Sequence, residues 1–313
     1  EINMYPFSFQ NPTRIEFGLD KEKEMGKYMH EYGAKKALII YGSERVKQSG
    51  LFEDVAKSLR EHGIEYIECG GVKSNPTINK VREAVEMAKA FDADSVLSIG
   101  GGSCLDSAKA IAAGACYDGD TWDFFKGTPV QKALMIFDVI TLAATGSEMN
   151  WGAVITNEET QQKYSIHSNH LFPKVSVINP KLQATVSRDY LVYSAADIIA
   201  HSIEAYFTAE YRPEIIDFLV ESNIKTVIRT TEILLNDPQD LNARGEFAWA
   251  ATLALNGLTH LGISPYGFPN HMIEHSMSAI SDVPHGAGLS VIMPAWMQWY
   301  QSQRPAQFKR FAK

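Results

Sequence analysis

The chain has 313 residues, 45% of them hydrophobic, which is enough for two domains with large buried cores. A formal net charge of −8 without any long basic run argues against a nucleic-acid-binding surface. The three cysteines are odd in number and lack Cys-x-x-Cys spacing, so neither a disulfide framework nor a thiolate zinc site is expected. No apolar stretch reaches the roughly 18 residues of a membrane-spanning helix, and residues 1–9 lack a secretion signal. These features predict a soluble, cytoplasmic α/β protein.

Short apolar runs alternate with helical periodicity through the first part of the chain. Strands are predicted over residues 36–41, 64–67, 95–99, 135–141 and 175–178, and helices over residues 44–61, from 75 to about 91, and from 103 to about 113. This alternation is typical of a parallel sheet that helices cover. Residues 1–187 are therefore predicted to form an α/β domain.

The pattern changes after the Asn-Pro pair at residues 179–180. Four helices are predicted, over residues 194–208, 213–235, 242–255 and 270–280, and no strand is predicted beyond about Arg188. Residues 188–313 are therefore expected to form an all-helical domain. Residues 305–313 have the pattern of the start of an amphipathic helix without a stop signal, so further C-terminal sequence is expected.

A glycine-rich turn, Gly100-Gly101-Gly102-Ser103, follows a predicted strand and opens a predicted helix. Backbone N–H groups at such a helix start favour a phosphate, and glycine lets a diphosphate approach the backbone closely. Ser103 and Asp106 also match a capping box, which would give the turn a purely structural role. The spacing is not Gly-x-Gly-x-x-Gly, so the turn alone leaves nucleotide binding open. A second hydroxyl-rich turn, residues 141–148, follows another strand but is weak evidence by itself.

Two clusters in the predicted helical domain have the spacing of metal ligands. Asp197 and His201 are four residues apart, as are His271 and His275, which places each pair on one face of a helix. His285 lies in a predicted turn between proline and glycine. Imidazole and carboxylate together suit a divalent transition metal, and a site without cysteine is more often catalytic than structural. Spacing alone leaves open whether His271 and His275 both bind the metal or one of them serves the reaction.

Two other interpretations remain open on the residues alone. His271-x-x-Glu274-His275 has the form of the inverted zinc-peptidase signature, in which both histidines bind zinc and Glu274 is the general base. This interpretation leaves Asp197, His201 and the glycine turn without a role. In the other, the protein binds a nucleotide without catalysis and the histidines are structural.

The motifs, taken together and in chain order, resemble those of a known family. They are Gly100-Gly101-Gly102-Ser103-x-x-Asp106-x-x-Lys109, the Thr-Gly-Ser-Glu turn at 145–148, Asp197-x-x-x-His201, His271-x-x-x-His275 and Pro284-His285-Gly286. This arrangement resembles the iron-containing (group III) alcohol dehydrogenases, especially the butanol dehydrogenase-like branch, over essentially the whole chain. The resemblance implies a Rossmann-like dinucleotide-binding domain, a dehydroquinate synthase-like helical metal-binding domain, and an active site in the cleft between them. Family members are several helices longer.

Roles for individual residues follow from the same resemblance. The implied metal ligands are Asp197, His201, His271 and His285. His275 would lie beside the nicotinamide as a catalytic residue that relays the proton. The implied cofactor contacts are Gly42, Ser43, Gly101, Gly102, Ser103, Asp106, Thr141, Thr145, Asn150, Lys163 and Leu182.

The implied reaction is reversible hydride transfer between NAD(P) and a primary alcohol or aldehyde such as butanol or butanal. A zinc-dependent polyol dehydrogenase is the alternative within the same fold. The resemblance further implies a homodimer that acts on a small molecule, with no nucleic-acid or membrane partner.

The choice of nucleotide depends on residues 41–45. An acidic residue near a strand end can hold a ribose 2′-hydroxyl and repel a 2′-phosphate. This chain has Gly42 where NAD-preferring relatives carry Asp, and Ser43 and Arg45 are suited to a 2′-phosphate that Glu44 would oppose. The sequence therefore predicts NADP, with NAD as the alternative, and the family resemblance predicts Fe(II), with zinc as the alternative ion.

Overall fold

Six parallel strands form the main sheet of the protein, in a computed structural model that describes residues 4–313. In chain order they are β1 (Arg14–Phe17), β2 (Lys36–Tyr41), β3 (Glu65–Cys69), β4 (Ser95–Gly100), β5 (Met135–Ile140) and, after a hairpin of β6 (Gly152–Asn157) and β7 (Gln162–His167), β8 (Val175–Ile178). Their order across the sheet is β1-β8-β5-β4-β2-β3. The predicted parallel sheet is confirmed, and all five predicted strands are present near their predicted limits.

Helices cover both faces of this sheet. They are α1 (Met25–Glu31), α2 (Arg45–Gln48), α3 (Leu51–Glu61), α4 (Ile78–Phe91), α5 (Gly102–Gly114) and α6 (Trp122–Phe125). Leu38 of β2 lies in a core with residues of α4 and α5, whereas the next residue, Ile39, lies in a second core with residues of α1 and α3. Because both faces are buried, β2 and β4 are largely apolar runs that the sequence reveals directly.

The prediction of one continuous helix over residues 44–61 was wrong. The structure ends α2 at Gln48 and begins α3 at Leu51, because Gly50 between them has a φ of 83°. That left-handed conformation is incompatible with a continuous α-helix and is readily available to glycine. The apolar periodicity of the two pieces is nearly in phase, so the pattern gave no sign of the break.

Three strands were not predicted at all. The edge strand β1 pairs only with β8 and carries charged side chains, among them Arg14, which contacts Glu16 and Glu31. It therefore lacks the apolar run of a central strand. Strands β6 and β7 form an antiparallel hairpin whose turn, residues 158–161, contains neither glycine nor proline. The hairpin thus has none of the usual turn signals.

The remaining helices all follow the sheet strands. They are α7 (Arg188–Thr208), α8 (Glu214–Asn236), α9 (Leu241–Ala254), α10 (Pro269–Ser281), α11 (His285–Tyr300) and α12 (Pro305–Phe311). Helix α7 begins six residues earlier than the predicted 194, where the Ser187 side chain accepts a hydrogen bond from the backbone N–H of Tyr190. As predicted, the described residues beyond Arg188 contain no strand.

The chain divides into two compact units. The α/β unit comprises residues 11–143 and 147–183, and the helical unit comprises residues 144–146 and 184–313 together with the N-terminal segment up to residue 10. In the helical unit, Phe207 of α7 packs against Trp296 of α11 and stacks on Phe308 of α12 with ring centroids 4.0 Å apart. Among the described residues, none of the helices combines the length and the apolar character needed to span a membrane.

Candidate metal centre and nucleotide-binding edge

Helix α7 carries the first pair of predicted ligands. Asp197 and His201 lie one turn apart on a buried face of α7, with exposed fractions of 2% and 5%. The His201 Nε2 atom lies 3.5 Å from Asp197 Oδ1. Burying a carboxylate is costly unless it has charged or hydrogen-bonding partners, so this pair needs further groups around it.

Two more imidazoles complete the cluster from other helices of the same unit. The Nε2 atoms of His271 on α10 and His285 on α11 each lie 3.4 Å from Asp197 Oδ1. The His201 and His271 rings stack with centroids 4.5 Å apart. The structure therefore brings together all four residues that the family resemblance implied as ligands.

Two of the atoms that face the centre of this cluster make no hydrogen bonds to the described residues. Asp197 Oδ1 and His271 Nε2 are buried and have no hydrogen-bonding partner, although other ligand atoms lie close by. Buried polar atoms are rarely left in this state without a missing water or ion. Three imidazole nitrogens and one carboxylate oxygen form a donor set that divalent transition metals accept. The geometry of the cluster thus fits a metal ion.

His285 is not in a turn, as the sequence analysis expected, but is the first residue of α11. The following glycine explains its position, because a Cβ atom on Gly286 would overlap the backbone of Tyr193 in α7. The start of α11 therefore lies directly against α7. This close approach brings the His285 ring to the Asp197 carboxylate.

Two carboxylates to which the family resemblance gave no role hold the outer nitrogens of these rings. Glu204 Oε1 lies 2.9 Å from His271 Nδ1, and Glu274 Oε2 accepts a hydrogen bond from His285 Nδ1. Both glutamates are fully buried. Each lies three residues after a ligand on the same helix, a spacing that was visible in the sequence but is too common to be informative on its own.

His275 lies beside the cluster and does not join it. Its ring centroid lies 6.2 Å from that of His271 and 5.7 Å from that of His285, and the side chain is partly exposed. Its potential ligand atoms group with those of Glu274 and His285 rather than with Asp197. This arrangement disfavours the peptidase interpretation, because Glu274 is fully buried against Ser278 and His285 and does not face solvent as a general base would.

The charges of the cluster are strongly coupled. Burial alone would raise the pKa of the Asp197 carboxyl group, but the neighbouring imidazoles lower it well below its ordinary value. Burial lowers the pKa of His201 to about 3, so this ring is neutral. Burial also opposes the charged form of His271, but Asp197 and Glu204 outweigh it and raise the pKa of His271 to about 9.

The glycine turn lies where the sequence analysis placed it, at the carboxyl end of β4. Gly101 is the N-cap of α5, and no side chain caps this helix start. The predicted capping box is wrong, because Ser103 lies inside the helix and Asp106 instead accepts hydrogen bonds from Ser147 Oγ at 2.6 Å and from the Val154 N–H at 2.9 Å. Because no side chain caps this helix, its start is suited to bind an anion.

Other predicted cofactor residues follow neighbouring strands of the sheet. Gly42 and Ser43 follow β2, and Thr141 follows β5 and donates a backbone hydrogen bond of 2.8 Å to Gly100 O. Leu182 lies in the turn after β8 and is partly buried. Since β8, β5, β4 and β2 are adjacent and parallel, these positions share one edge of the sheet, where α/β proteins commonly bind ligands.

The last three predicted cofactor residues differ in their surroundings. Lys163 is buried in β7 and donates a hydrogen bond of 3.0 Å to Asn75 Oδ1. Asn150 is buried, and its Oδ1 accepts hydrogen bonds from Lys109 Nζ and from the Gly152 N–H. Thr145 belongs to the helical unit. Cofactor contact by these three residues stays a prediction.

Lys109, the last residue of the glycine motif, has a role that the sequence did not reveal. It is fully buried, and its Nζ atom lies 2.8–3.0 Å from five oxygens, namely Ser147 O and Oγ, Asn150 O and Oδ1, and Gly152 O. Burial lowers the pKa of Lys109 to about 8, while nearby carboxylates including Asp106 act to raise it. The ammonium group thus fastens residues 147–152 to α5.

Comparisons with known proteins agree with this geometry. The family model for iron-containing alcohol dehydrogenases matches residues 12–180, and the model for the C-terminal part of that family matches residues 191–313. The chain belongs to the iron-containing alcohol dehydrogenase family. The family resemblance drawn from the motifs is therefore confirmed.

Individual relatives extend this result. The chain is 39% identical to the probable NADH-dependent butanol dehydrogenase 1 of Bacillus subtilis (strain 168), covering 99% of this chain and 80% of the relative. It is 31% identical to the NADPH-dependent aldehyde reductase YqhD of Escherichia coli (strain K12), covering 99% and 80% respectively. The crystal structure of NADH-dependent butanol dehydrogenase A from Thermotoga maritima superposes with a TM-score of 0.97 at 48% identity, covering 99% of this chain and 78% of that one.

Replacing the buried ammonium should destabilise the α/β unit. We expect Lys109→Met to lower the free energy of unfolding by about 3–5 kcal/mol, because five oxygens lose their donor and buried carboxylates lose a counter-charge. Urea unfolding measures this change. The matched control is Lys57→Met, since Lys57 is exposed and should change stability by less than about 1 kcal/mol. A Lys109→Met protein as stable as the control would contradict the assigned role.

Proposed function

We propose that this protein is a metal-dependent, NAD(P)-linked alcohol dehydrogenase and aldehyde reductase. The observation that carries the proposal is the convergence of three imidazole nitrogens, those of His201, His271 and His285, on one carboxylate oxygen of Asp197, in a chain of the iron-containing alcohol dehydrogenase family. Names of relatives support butanol and other short primary alcohols, or the matching aldehydes, as substrates. The overall reaction is alcohol plus NAD(P)+ to aldehyde, NAD(P)H and a proton.

Different residues of this chain would bind the metal ion, bind the cofactor and transfer the proton. Asp197 and the three imidazoles would hold a divalent ion, which supplies Lewis acidity toward the substrate oxygen. The nicotinamide would supply or accept the hydride, and the helix start at Gly101 and Gly102, which no side chain caps, would bind its diphosphate. His275, next to the cluster and partly exposed, is suited to carry the proton between the substrate oxygen and solvent.

We propose Fe(II) as the ion. The family is named for iron, although three imidazoles and a carboxylate also accept zinc, cobalt and nickel. The zinc peptidase and the zinc-dependent polyol dehydrogenase gain no support from the comparisons. The homodimer and the cytoplasmic location stay predictions.

An assay that follows the absorbance of the reduced nicotinamide tests the reaction directly. Protein loaded with Fe(II) without oxygen should oxidise NADPH in the presence of butanal, followed by the loss of absorbance at about 340 nm that marks the reduced nicotinamide. NADH is measured in parallel. Metal-loaded protein that oxidises neither nucleotide with any short aldehyde would overturn the proposed function.

Replacing His271 and replacing His275 should have different effects. We expect His271→Ala to lose the ion and the activity together, because a ligand is removed. His275→Ala should keep the ion but slow turnover about a hundredfold, the usual contribution of a proton-transferring side chain. Metal content and kcat measured on the same samples separate the two effects. His170→Ala, which alters an exposed histidine, is the control. Loss of the ion from His275→Ala would instead favour the peptidase ligand set.

Metal affinity should rise with pH. With no ion bound, His271 has a pKa of about 9, so below that pH an incoming ion must displace a proton from its ring. One displaced proton makes the apparent affinity increase about tenfold per pH unit, with a plateau above the pKa. His201 is neutral throughout this range and adds no further proton. Competition with a chelator for Co(II), corrected for the chelator's own protonation, measures the slope. A flat profile would show that ion binding displaces no proton from His271 and would contradict this prediction.

We propose NADP as the preferred nucleotide. The Glu44 carboxylate, which would oppose a 2′-phosphate, accepts a hydrogen bond of 3.2 Å from the Tyr41 hydroxyl and lies 3.8 Å from Lys47 Nζ. Ser43 and Arg45 beside it are exposed and unobstructed. Relatives of both kinds occur, with NADH named for the Bacillus subtilis and Thermotoga maritima proteins and NADPH for the Escherichia coli protein, so family membership does not decide the preference.

Removing the arginine at this position should shift the preference. We expect Arg45→Ala to lower the ratio of kcat/KM for NADPH to that for NADH about tenfold, the value of one charge-assisted hydrogen bond. Arg60→Ala, on the exposed side of α3, should leave the ratio unchanged. If the unaltered protein already prefers NADH, the assignment of NADP is wrong.

A further inference from the structure

Two fully buried carboxylates of the helical unit have no part in the reaction described above. Glu204 on α7 and Glu274 on α10 have exposed fractions of 0%. A buried carboxylate is expensive unless donors surround it, so each must be held by specific hydrogen bonds. In both cases one of those donors is the outer nitrogen of a candidate metal ligand.

Glu204 joins the start of one helix to the ligand of another. Its Oε1 atom lies 2.9 Å from both the Nδ1 atom and the backbone nitrogen of His271. Its Oε2 atom accepts from the side chain and backbone nitrogens of Asn270, at 3.1 and 3.4 Å. Helix α10 has no side-chain cap of its own, so the Glu204 carboxylate caps it from α7. Both oxygens are fully committed to α10.

Glu274 repeats the arrangement between α10 and α11. Its Oε2 atom accepts from His285 Nδ1, and its Oε1 atom contacts the Ser278 hydroxyl one turn later on α10. A Cβ atom on Gly288 would lie 2.9 Å from Glu274 Cγ, so a glycine on α11 leaves room for this side chain. His285 is thereby tied to a carboxylate carried by the same helix as His271.

These contacts determine which nitrogen of each imidazole ring is free to bind the metal ion. An imidazole that donates its Nδ1–H to a carboxylate presents the lone pair of Nε2, and the Nε2 atoms of His271 and His285 are the ones that face Asp197 Oδ1. His201 differs, because its Nδ1 atom is buried and has no hydrogen-bonding partner among the described residues. Two of the three imidazoles are therefore fixed by carboxylates, and the third is held by its helix and by stacking on His271.

We propose that Glu204 and Glu274 are positioning residues, which fix His271 and His285 in the tautomer and ring orientation that bind the metal. This inference rests on the proposed function, because it requires that the four-residue cluster bind an ion. It assigns no contact with substrate to either glutamate. Helix α10 then links the parts of the centre, since it receives one carboxylate from α7 and supplies another to α11.

The test compares three variants that each replace a carboxylate by an amide of the same shape. They are Glu204→Gln, Glu274→Gln and the control Glu221→Gln, whose carboxylate contacts Arg310 and Tyr206 and no ligand. Co(II) affinity is measured by chelator competition, and the visible absorption bands of bound Co(II) report its coordination geometry. We expect a 10- to 100-fold loss of affinity and altered bands for the first two variants, and affinity within about twofold of the parent for the control.

A fourth variant separates orientation from charge. Glu274→Asp keeps the negative charge but withdraws the carboxylate by one methylene from His285. If orientation matters, Glu274→Asp loses Co(II) affinity at least tenfold, whereas a purely electrostatic role would leave the affinity unchanged. Circular dichroism of each metal-free variant identifies any that fails to fold. Because Glu204 also caps α10, the two Glu274 variants decide the outcome if Glu204→Gln does not fold.

The Co(II) measurements distinguish failure of the positioning role from failure of the proposed function. A parent protein that binds no Co(II) overturns both. A parent that binds Co(II), with folded glutamate variants that bind it equally well and show the same absorption bands, overturns the positioning role alone and leaves the proposed reaction standing.

Discussion

A single carboxylate oxygen surrounded by imidazole nitrogens is the constraint that organises the helical unit. Asp197 Oδ1 has three Nε2 atoms within 3.4–3.5 Å and hydrogen-bonds to none of them. Burying a carboxylate and three imidazoles at one point costs free energy unless the groups are held together, so the surrounding helices must pack well enough to enforce the arrangement. They do so with buried polar contacts in addition to apolar ones, and Gly286 is the point where one backbone lies directly against another.

In the α/β unit, the candidate nucleotide site depends on backbone groups rather than on side chains. Its candidate nucleotide residues follow adjacent parallel strands, so sheet topology alone gathers them along one edge. Gly101 stands at the start of α5, which no side chain caps, while the loop that follows β5 is held to the same helix by Lys109. The strands thus fix the positions of the turns. The buried ammonium group of Lys109 holds residues 147–152 in place beside them.

Much of this arrangement could be predicted, because the relevant signals are local. Buried parallel strands are continuous apolar runs, and ligands at i and i+4 share a helix face, so the central strands and the Asp197–His201 pair were apparent. The edge strand β1 was not, since an edge needs no apolar run, and the hairpin was missed because its turn lacks glycine and proline. The break at Gly50 was hidden by a periodicity that continues across it.

Contacts between distant parts of the chain were beyond local patterns. Glu204 and Glu274 are ordinary helix residues in the sequence, and only the packing of α7, α10 and α11 shows that their carboxylates meet ligand nitrogens. Spacing also could not distinguish His271 from His275, whereas the folded chain turns one ring toward Asp197 and leaves the other beside it. Lys109 matched the family motif, but its cage of oxygens comes from a segment about forty residues away.

That cage has a consequence for how the two units depend on their surroundings. A positive charge coordinated by oxygens is what a bound cation would provide, but here it is carried by a side chain of the chain itself. Dialysis, chelators and scarcity of minerals in the growth medium would leave it in place, and only loss of its proton would remove the charge. The ion proposed for the helical unit, by contrast, would have to come from outside. The α/β unit would therefore keep this charge when trace metal is scarce, while the metal content of the helical unit would follow the supply.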